Sequence, residues 1–206
     1  MLTADADAEA LMRAVLSRHK ALQIRPVAFD IKRLPGRDNG MVNEGPEIAR
    51  VLVNKSEHAR LLLMWDHHGS GWEKRNPDQA TIRIQERLNG VTWMGRSSAM
   101  VLVPELEEWL WHCPESIAAH LGVSNLEFAE LSERAAIRLA KPLQRCKREY
   151  PKELFGIVFH GRKRRQPLPE DFRVLGSSAD LTQWRASETF GRFTQVLQEW
   201  FPVKPV

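Results

Sequence analysis

Apolar positions follow two rhythms along this chain, a helical one and an alternating or unbroken one, and they switch repeatedly over the first half. Met1 to Ala4 is a stub of a strand. Asp5-Ala6-Asp7 leads from it into a helix in which Ala8, Leu11, Met12, Val15 and Leu16 recur at helical spacing, with Arg13, Ser17 and Arg18 on the other face. Ile24 to Ile31 alternates and carries β-branched residues, which predicts a second strand. Residues 33–46 are polar and rich in turn formers, which predicts a loop, and a helix over roughly 46–57 follows. Leu61 to Trp65 is an unbroken apolar run that stops at Asp66, the pattern of a parallel strand buried on both faces. Asn76-Pro77 supplies an N-cap and an N1 proline, and Gly90 a C′ glycine, so a helix is expected over 77–88. Ala99 to Val103 predicts a short strand, which Pro104 ends before a helix from Glu105 to His112.

This β-α-β-α-β-α-β-α order predicts an α/β core over residues 1–113, a mostly parallel sheet covered by helices on both faces. Residues 114–206 read as a mainly helical extension packed on that core as one structural unit. Leu154 to His160 suits one more strand, although so short an apolar run is not typed by periodicity alone. The last helix is expected over about 187–200.

Composition sharpens the class more than the activity. With 206 residues, 43% hydrophobic and 27% charged, the chain has the make-up of an ordinary globular protein. It shows no basic and apolar leader, and no apolar run near the roughly 20 residues that cross a bilayer, so no membrane partner is expected. Cys113 and Cys146 lack CxxC partners and read as reduced thiols, consistent with a cytoplasmic location. The net charge of +4 says little by itself. Its distribution says more, because 141–165 is crowded with Lys and Arg and holds only Glu149 and Glu153 against them.

Acidic residues follow three of the expected strands: Asp5, Asp66, and Glu105 with Glu107. Open α/β sheets bind ligands at the carboxyl ends of their strands, and grouped carboxylates without sulfur ligands suit Mg²⁺ or Mn²⁺. Such an ion polarises a phosphoryl oxygen or activates water. Residues two apart on a helix face different ways, so only one of Glu105 and Glu107 is expected to aim at a given ion. Each acid also has a plain reading: Asp5 as an N-cap, Glu105 and Glu107 as first-turn acids, Asp66 as a turn residue.

His68 is a candidate acid or base beside Asp66 and Glu107, and His67 and His68 also read as surface loop residues. Gly69-Ser70-Gly71 offers backbone N–H groups to a phosphate, but matches neither a Walker A motif nor G-x-G-x-x-G. Arg162, Lys163, Arg164 and Arg165, with Lys147 and Arg148, are candidates for holding a DNA or RNA backbone. Those at 162–165 are expected on an exposed loop, where solubility alone also explains them. Trp109, Trp111 and Trp200-Phe201 suit core packing better than base stacking.

Several pieces together resemble one family. Leu2-Thr3-Ala4-Asp5 runs into a helix ending Leu16-Ser17-Arg18. Trp65-Asp66-His67-His68-Gly69-Ser70-Gly71 follows a strand, Pro104-Glu105-Leu106-Glu107-Glu108-Trp109-Leu110-Trp111 follows another, and Trp200-Phe201-Pro202 closes the chain. Over nearly its whole length this is similar to a small bacterial family found in methylation-associated anti-phage defence systems. More loosely, the layout resembles Toprim-related proteins, which bind Mg²⁺ through acids after their strands and cleave DNA. The resemblance implies a Toprim-like three-layer sheet, Asp5 and Asp66 in the first two acidic positions, and Glu107 as the acid of a Glu-x-Trp motif. The first acid is Asp where Toprim proteins carry Glu, and Asp-His-His stands where they carry Asp-x-Asp. The expected function is therefore an anti-phage defence component with metal-dependent phosphodiester chemistry. The alternative is a non-catalytic adaptor that docks on other defence-system proteins, motivated by the incomplete motif and the 109–111 tryptophans.

Overall fold

The structure is a computed structural model and describes residues 1–52, 58–90 and 93–203. In chain order its elements are β1 (Leu2–Thr3), α1 (Ala6–Ser17), α2 (His19–Leu22), β2 (Lys32–Arg33), α3 (Arg37–Asn43), α4 (Gly45–Val51), β3 (Leu61–Asp66), α5 (Pro77–Asn89), β4 (Ser97–Leu102) and α6 (Glu107–Leu110). After these come α7 (Pro114–Leu121), α8 (Asn125–Arg138), α9 (Leu143–Glu149), α10 (Pro151–Lys163), α11 (Pro169–Ser178), α12 (Leu181–Trp184) and α13 (Glu188–Trp200).

The four strands form one parallel sheet in the order β2-β1-β3-β4, so the expected α/β class with a parallel sheet is found. β3 pairs with β4 over its whole length, from Leu61 opposite Ser97 to Asp66 opposite Leu102. Every residue of β3 is buried, which is why its sequence is a continuous apolar run and not an alternation. Leu62 and Met64 face a core shared with α1, α6 and the helices of the second half. Leu61, Leu63 and Trp65 face a second core under α3, α4 and α5. The result is three layers, with the later helices thickening one side.

Helix termini follow their caps. The Asp5 carboxylate accepts the Ala8 N–H at 2.9 Å and starts α1. Asn76 accepts from Asp78 and Gln79 and starts α5, with Pro77 in the first turn. The second half docks mainly through α11 on α1, where Gly176 brings the two helices together: a Cβ there would lie 3.0 Å from the Leu11 carbonyl oxygen. Arg18 fastens the joint by donating to the carbonyls of Gly176 at 2.9 Å and Ala179 at 2.7 Å.

Three sequence expectations are corrected. The strand over Ile24–Ile31 does not form; only Ile24 makes an isolated bridge, to Pro202, and the paired strand is Lys32–Arg33. Pro26 cannot donate to a ladder, and residues 25–30 lie largely exposed without a neighbouring strand. The loop over 33–46 contains α3 and the start of α4, because Met41 and Val42 bury against the sheet. Leu154 to His160 lies inside α10, where Leu154, Phe155, Val158 and Phe159 make one buried helical face after Pro151. The helix expected over 46–57 appears as Gly45–Val51, and its continuation at 53–57 lies outside the described residues. Among the described residues no helix is long and apolar enough to cross a membrane.

Candidate functional site: an acidic cleft at the carboxyl edge of the sheet

β3 delivers Asp66 to the carboxyl edge of the sheet, and two neighbours fix it there. Its N–H donates to the Asp38 carboxylate at 2.8 Å, and its own Oδ1 accepts the Leu106 N–H at 2.9 Å. The second bond draws the turn after β4 towards β3 and places Glu107, 4% exposed, beside Asp66 in a narrow cleft. Asp5, at the end of β1, and Asp7, in the first turn of α1, line the same cleft, together with Lys152 from α10. The cleft has about 10 Å³ of room, roughly that of one water molecule or ion.

Charge is crowded here. Burial, then the nearby carboxylates of Glu107 and Asp38, push the Asp66 carboxyl well above the ordinary range. Burial likewise pushes Glu107 up to about 7, against the pull of Lys152, with Glu105 and Asp5 adding to the rise. Asp7 is pushed up to about 6 by burial and by Asp5, and Asp38 is raised mainly by burial. Burial works against a charged Lys152, yet Glu107 and Asp66 hold its ammonium above its ordinary value. Lys152 Nζ stands 4.0 Å from Glu107 Oε1, while Glu107 Oε2 is buried and has no hydrogen-bond partner among the described residues.

The donor set is all oxygen, which suits a hard divalent cation, and Glu107 Oε2 is an acceptor without a donor. Among the described residues, no group of three or more His, Cys, Asp or Glu side chains stands ready to hold an ion.

The other expected site residues are placed as follows. Glu105 is buried with an unpartnered Oε2, but it does not line the cleft; Glu107 does. His68 is half-buried outside the cleft, its N–H bonded to the Pro104 carbonyl at 3.1 Å, and His67 is buried with Nε2 3.2 Å from the Arg75 carbonyl. In the Gly69-Ser70-Gly71 loop, the Gly71 N–H donates to the Glu73 carboxylate at 3.0 Å and the Ser70 N–H to the His67 carbonyl. Backbone N–H groups of Glu73 itself, Gly71 and Gly69 hold the Glu73 carboxyl below its usual range, so a side chain of the chain occupies this nest.

The exposed loop expected at 162–165 forms only in part: Arg162 and Lys163 end α10, Arg164 caps it and Arg165 follows, all four exposed, while Lys147 and Arg148 lie on α9. Arg165 is committed to Asp171 through bonds of 2.6 and 2.9 Å. Burial would raise Asp171, yet hydrogen bonds from Arg165, the Leu168 N–H and His120 hold it at about 2. From Lys152 to Arg162 along α10 is about 15 Å at helical rise, so the run sits at the far end from the cleft.

No pattern in the sequence singles out Asp38, Asp7 or Lys152. Asp38 lies among the turn formers of 33–46, where the pattern predicts a loop. Lys152 carries no local signal, because its place among the acids is set by the packing of α10 against the sheet edge. Trp109 and Trp111, 0% and 6% exposed, are core residues. Trp109 donates to Thr189 Oγ1 at 2.7 Å, and Trp111 to the Pro151 carbonyl at 3.0 Å, which pins the end of α10 that carries Lys152. Comparison with protein-family models, with curated proteins and with solved structures found no match to this chain.

Proposed function

We propose that the acidic cleft is a Toprim-like site for Mg²⁺- or Mn²⁺-dependent phosphodiester chemistry on nucleic acid, within a cytoplasmic anti-phage defence system. The observation that carries this reading is the meeting of Asp5, Asp66 and Glu107, from the ends of β1 and β3 and the turn after β4, around a cleft of ion size. Asp38 and Asp7 add to a negative charge that Lys152 only partly offsets. Mg²⁺ is commonly held by one or two carboxylates plus substrate phosphate and water, so Asp66 and Glu107 suffice as protein ligands. When bound, the ion would supply charge stabilisation on the scissile phosphate. Asp38 would keep Asp66 oriented through its N–H, and Lys152 would favour the ionised form of Glu107 against the burial that raises it.

The adaptor reading loses its aromatic motive, since the tryptophans that suggested a docking patch are inside the core. The decisive experiment is calorimetric titration of Mn²⁺ into wild type and Asp66→Asn, followed by a cleavage screen on DNA and RNA. Saturable binding that disappears in the variant is expected. Full nuclease activity in Asp66→Asn, or no binding by wild type with or without an oligonucleotide, would refute the proposal.

A further inference from the structure

A groove of about 760 Å³ opens beside the cleft and shares Asp5, Asp7 and Lys152 with it. Its other wall comes from β2 and the turn into α3, and brings Arg33 and Arg37. The cations differ in how they are engaged. Arg33 is paired with Glu9 at 2.9 Å and Lys152 stands near Glu107. Arg37 is exposed and, among the described residues, makes no ion pair within 4.0 Å and no side-chain hydrogen bond, although its charge acts on Asp7 across the same groove.

The backbone of Arg37 is the second observation. Its φ of 52° lies in the left-handed region, next to Gly36 at 82°, at the start of a helix. Among the described residues, the other non-glycine residues with positive φ are Gln23, Ala140 and Arg164. These stand at or just past helix C-termini, where a left-handed residue is ordinary. Arg37 has no such excuse, and a residue with a Cβ pays for this conformation. Its long cationic side chain is held over the groove at a position whose backbone would suit glycine or asparagine better.

Resting on the acidic-site reading above, we infer that this groove is where a nucleic-acid strand lies, with Arg37 gripping a backbone phosphate next to the one at the cleft. A guanidinium offers paired donors that match phosphate oxygens, and such contacts position a strand without reading its sequence. Arg37 takes the role that the sequence suggested for 162–165. It is a substrate-binding residue, not a ligand of the ion.

The test is fluorescence anisotropy of a short labelled oligothymidylate, with Mn²⁺ present, at low and moderate salt. Asn tolerates the left-handed region, so Arg37→Asn removes the guanidinium and is expected to melt no lower than wild type. It should bind the strand about tenfold more weakly, with a salt dependence shallower by about one ion, and Arg37→Lys should recover part of the loss. Mn²⁺ titration of Arg37→Asn should match wild type. Unchanged strand affinity in Arg37→Asn with Mn²⁺ binding intact overturns the role of Arg37 and leaves the acidic site standing. Loss of Mn²⁺ binding together with strand binding in this variant also overturns it, by showing that Arg37 acts through the ion site. Absence of Mn²⁺ binding in wild type, both with and without the oligothymidylate, overturns the acidic-site reading, and the groove assignment with it.

Discussion

The Asp38 carboxylate accepts the N–H of Asp66 at 2.8 Å, so a residue in the first turn of α3 fixes the last residue of β3. This bond is buried and joins two acids, and behind burial and Glu107 the charge of Asp38 helps to raise Asp66. Acceptor and charge therefore act in opposite directions at position 38. Asp38→Ala leaves the Asp66 N–H without its partner and should lose about 1–3 kcal/mol in urea unfolding. Asp38→Asn keeps an oxygen acceptor and removes the charge, so it should lose less than half as much. Equal losses in the two variants would show that the bond is not what position 38 contributes.

Stability should fall as pH rises through the neutral range. Asp7 and Glu107 are raised to about 6 and about 7, so their folded forms hold protons that the unfolded chain releases near its ordinary carboxylate range. The stability they contribute is fully present below that range and is lost as pH passes through about 6 to 7. Asp171, held at about 2, works the other way, and its contribution is lost only as pH falls below the ordinary Asp value towards about 2. Urea midpoints should therefore decline from about pH 5 to about pH 8 by a stability difference on the order of 1–3 kcal/mol. Glu107→Gln should flatten the decline, and an undiminished slope in that variant would assign it to other groups.

Lys152→Met removes the ammonium beside Glu107 while keeping much of the aliphatic stem. The carboxylates then repel without compensation, and the loss should be greater at about pH 8 than at about pH 5. Because the ammonium is half exposed, a loss on the order of 1 kcal/mol is expected at the higher pH. A loss independent of pH would mean that the stem, and not the charge, matters.

Trp111 reaches the site through its indole N–H, bonded to the Pro151 carbonyl, and its ring stacks on Phe128 and meets Phe155 edge-on. Trp111→Phe should cost about 2 kcal/mol in urea unfolding through the lost bond and the space left behind. It should also weaken the pH dependence attributed to Glu107, because Lys152 loses its fixed position. A stability loss with an unchanged pH profile would separate Trp111 from the site.

What could be read from the chain beforehand follows from how local each signal is. β3 and its terminal Asp66 were legible because a strand buried on both faces must be apolar throughout. The start of α5 was legible because its cap is set by neighbours in sequence. Lys32–Arg33, by contrast, is a strand only because Met1 to Thr3 lies alongside it; two exposed cations carry no strand pattern of their own. α3 hid among turn formers, since only contact with the sheet makes Met41 and Val42 worth burying. Of the candidate site, strand ends point to Asp5, Asp66 and the pair Glu105 and Glu107, of which Glu107 alone lines the cleft. Asp38 and Lys152 arrive by tertiary packing from segments 28 residues before and 86 residues after Asp66, a relation that no local pattern encodes.

The close joint between α1 and α11, tightened at Gly176 and tied by Arg18, bears on how this chain can be divided. Cutting after the first 113 residues would strip the cover from Leu62, Met64, Met100 and Leu102, and would take away Lys152. The strands carry the acids and the later helices carry their counter-charge, so neither half is a transferable module. Recombination that grafts the sheet onto a new partner would have to bring the helices with it.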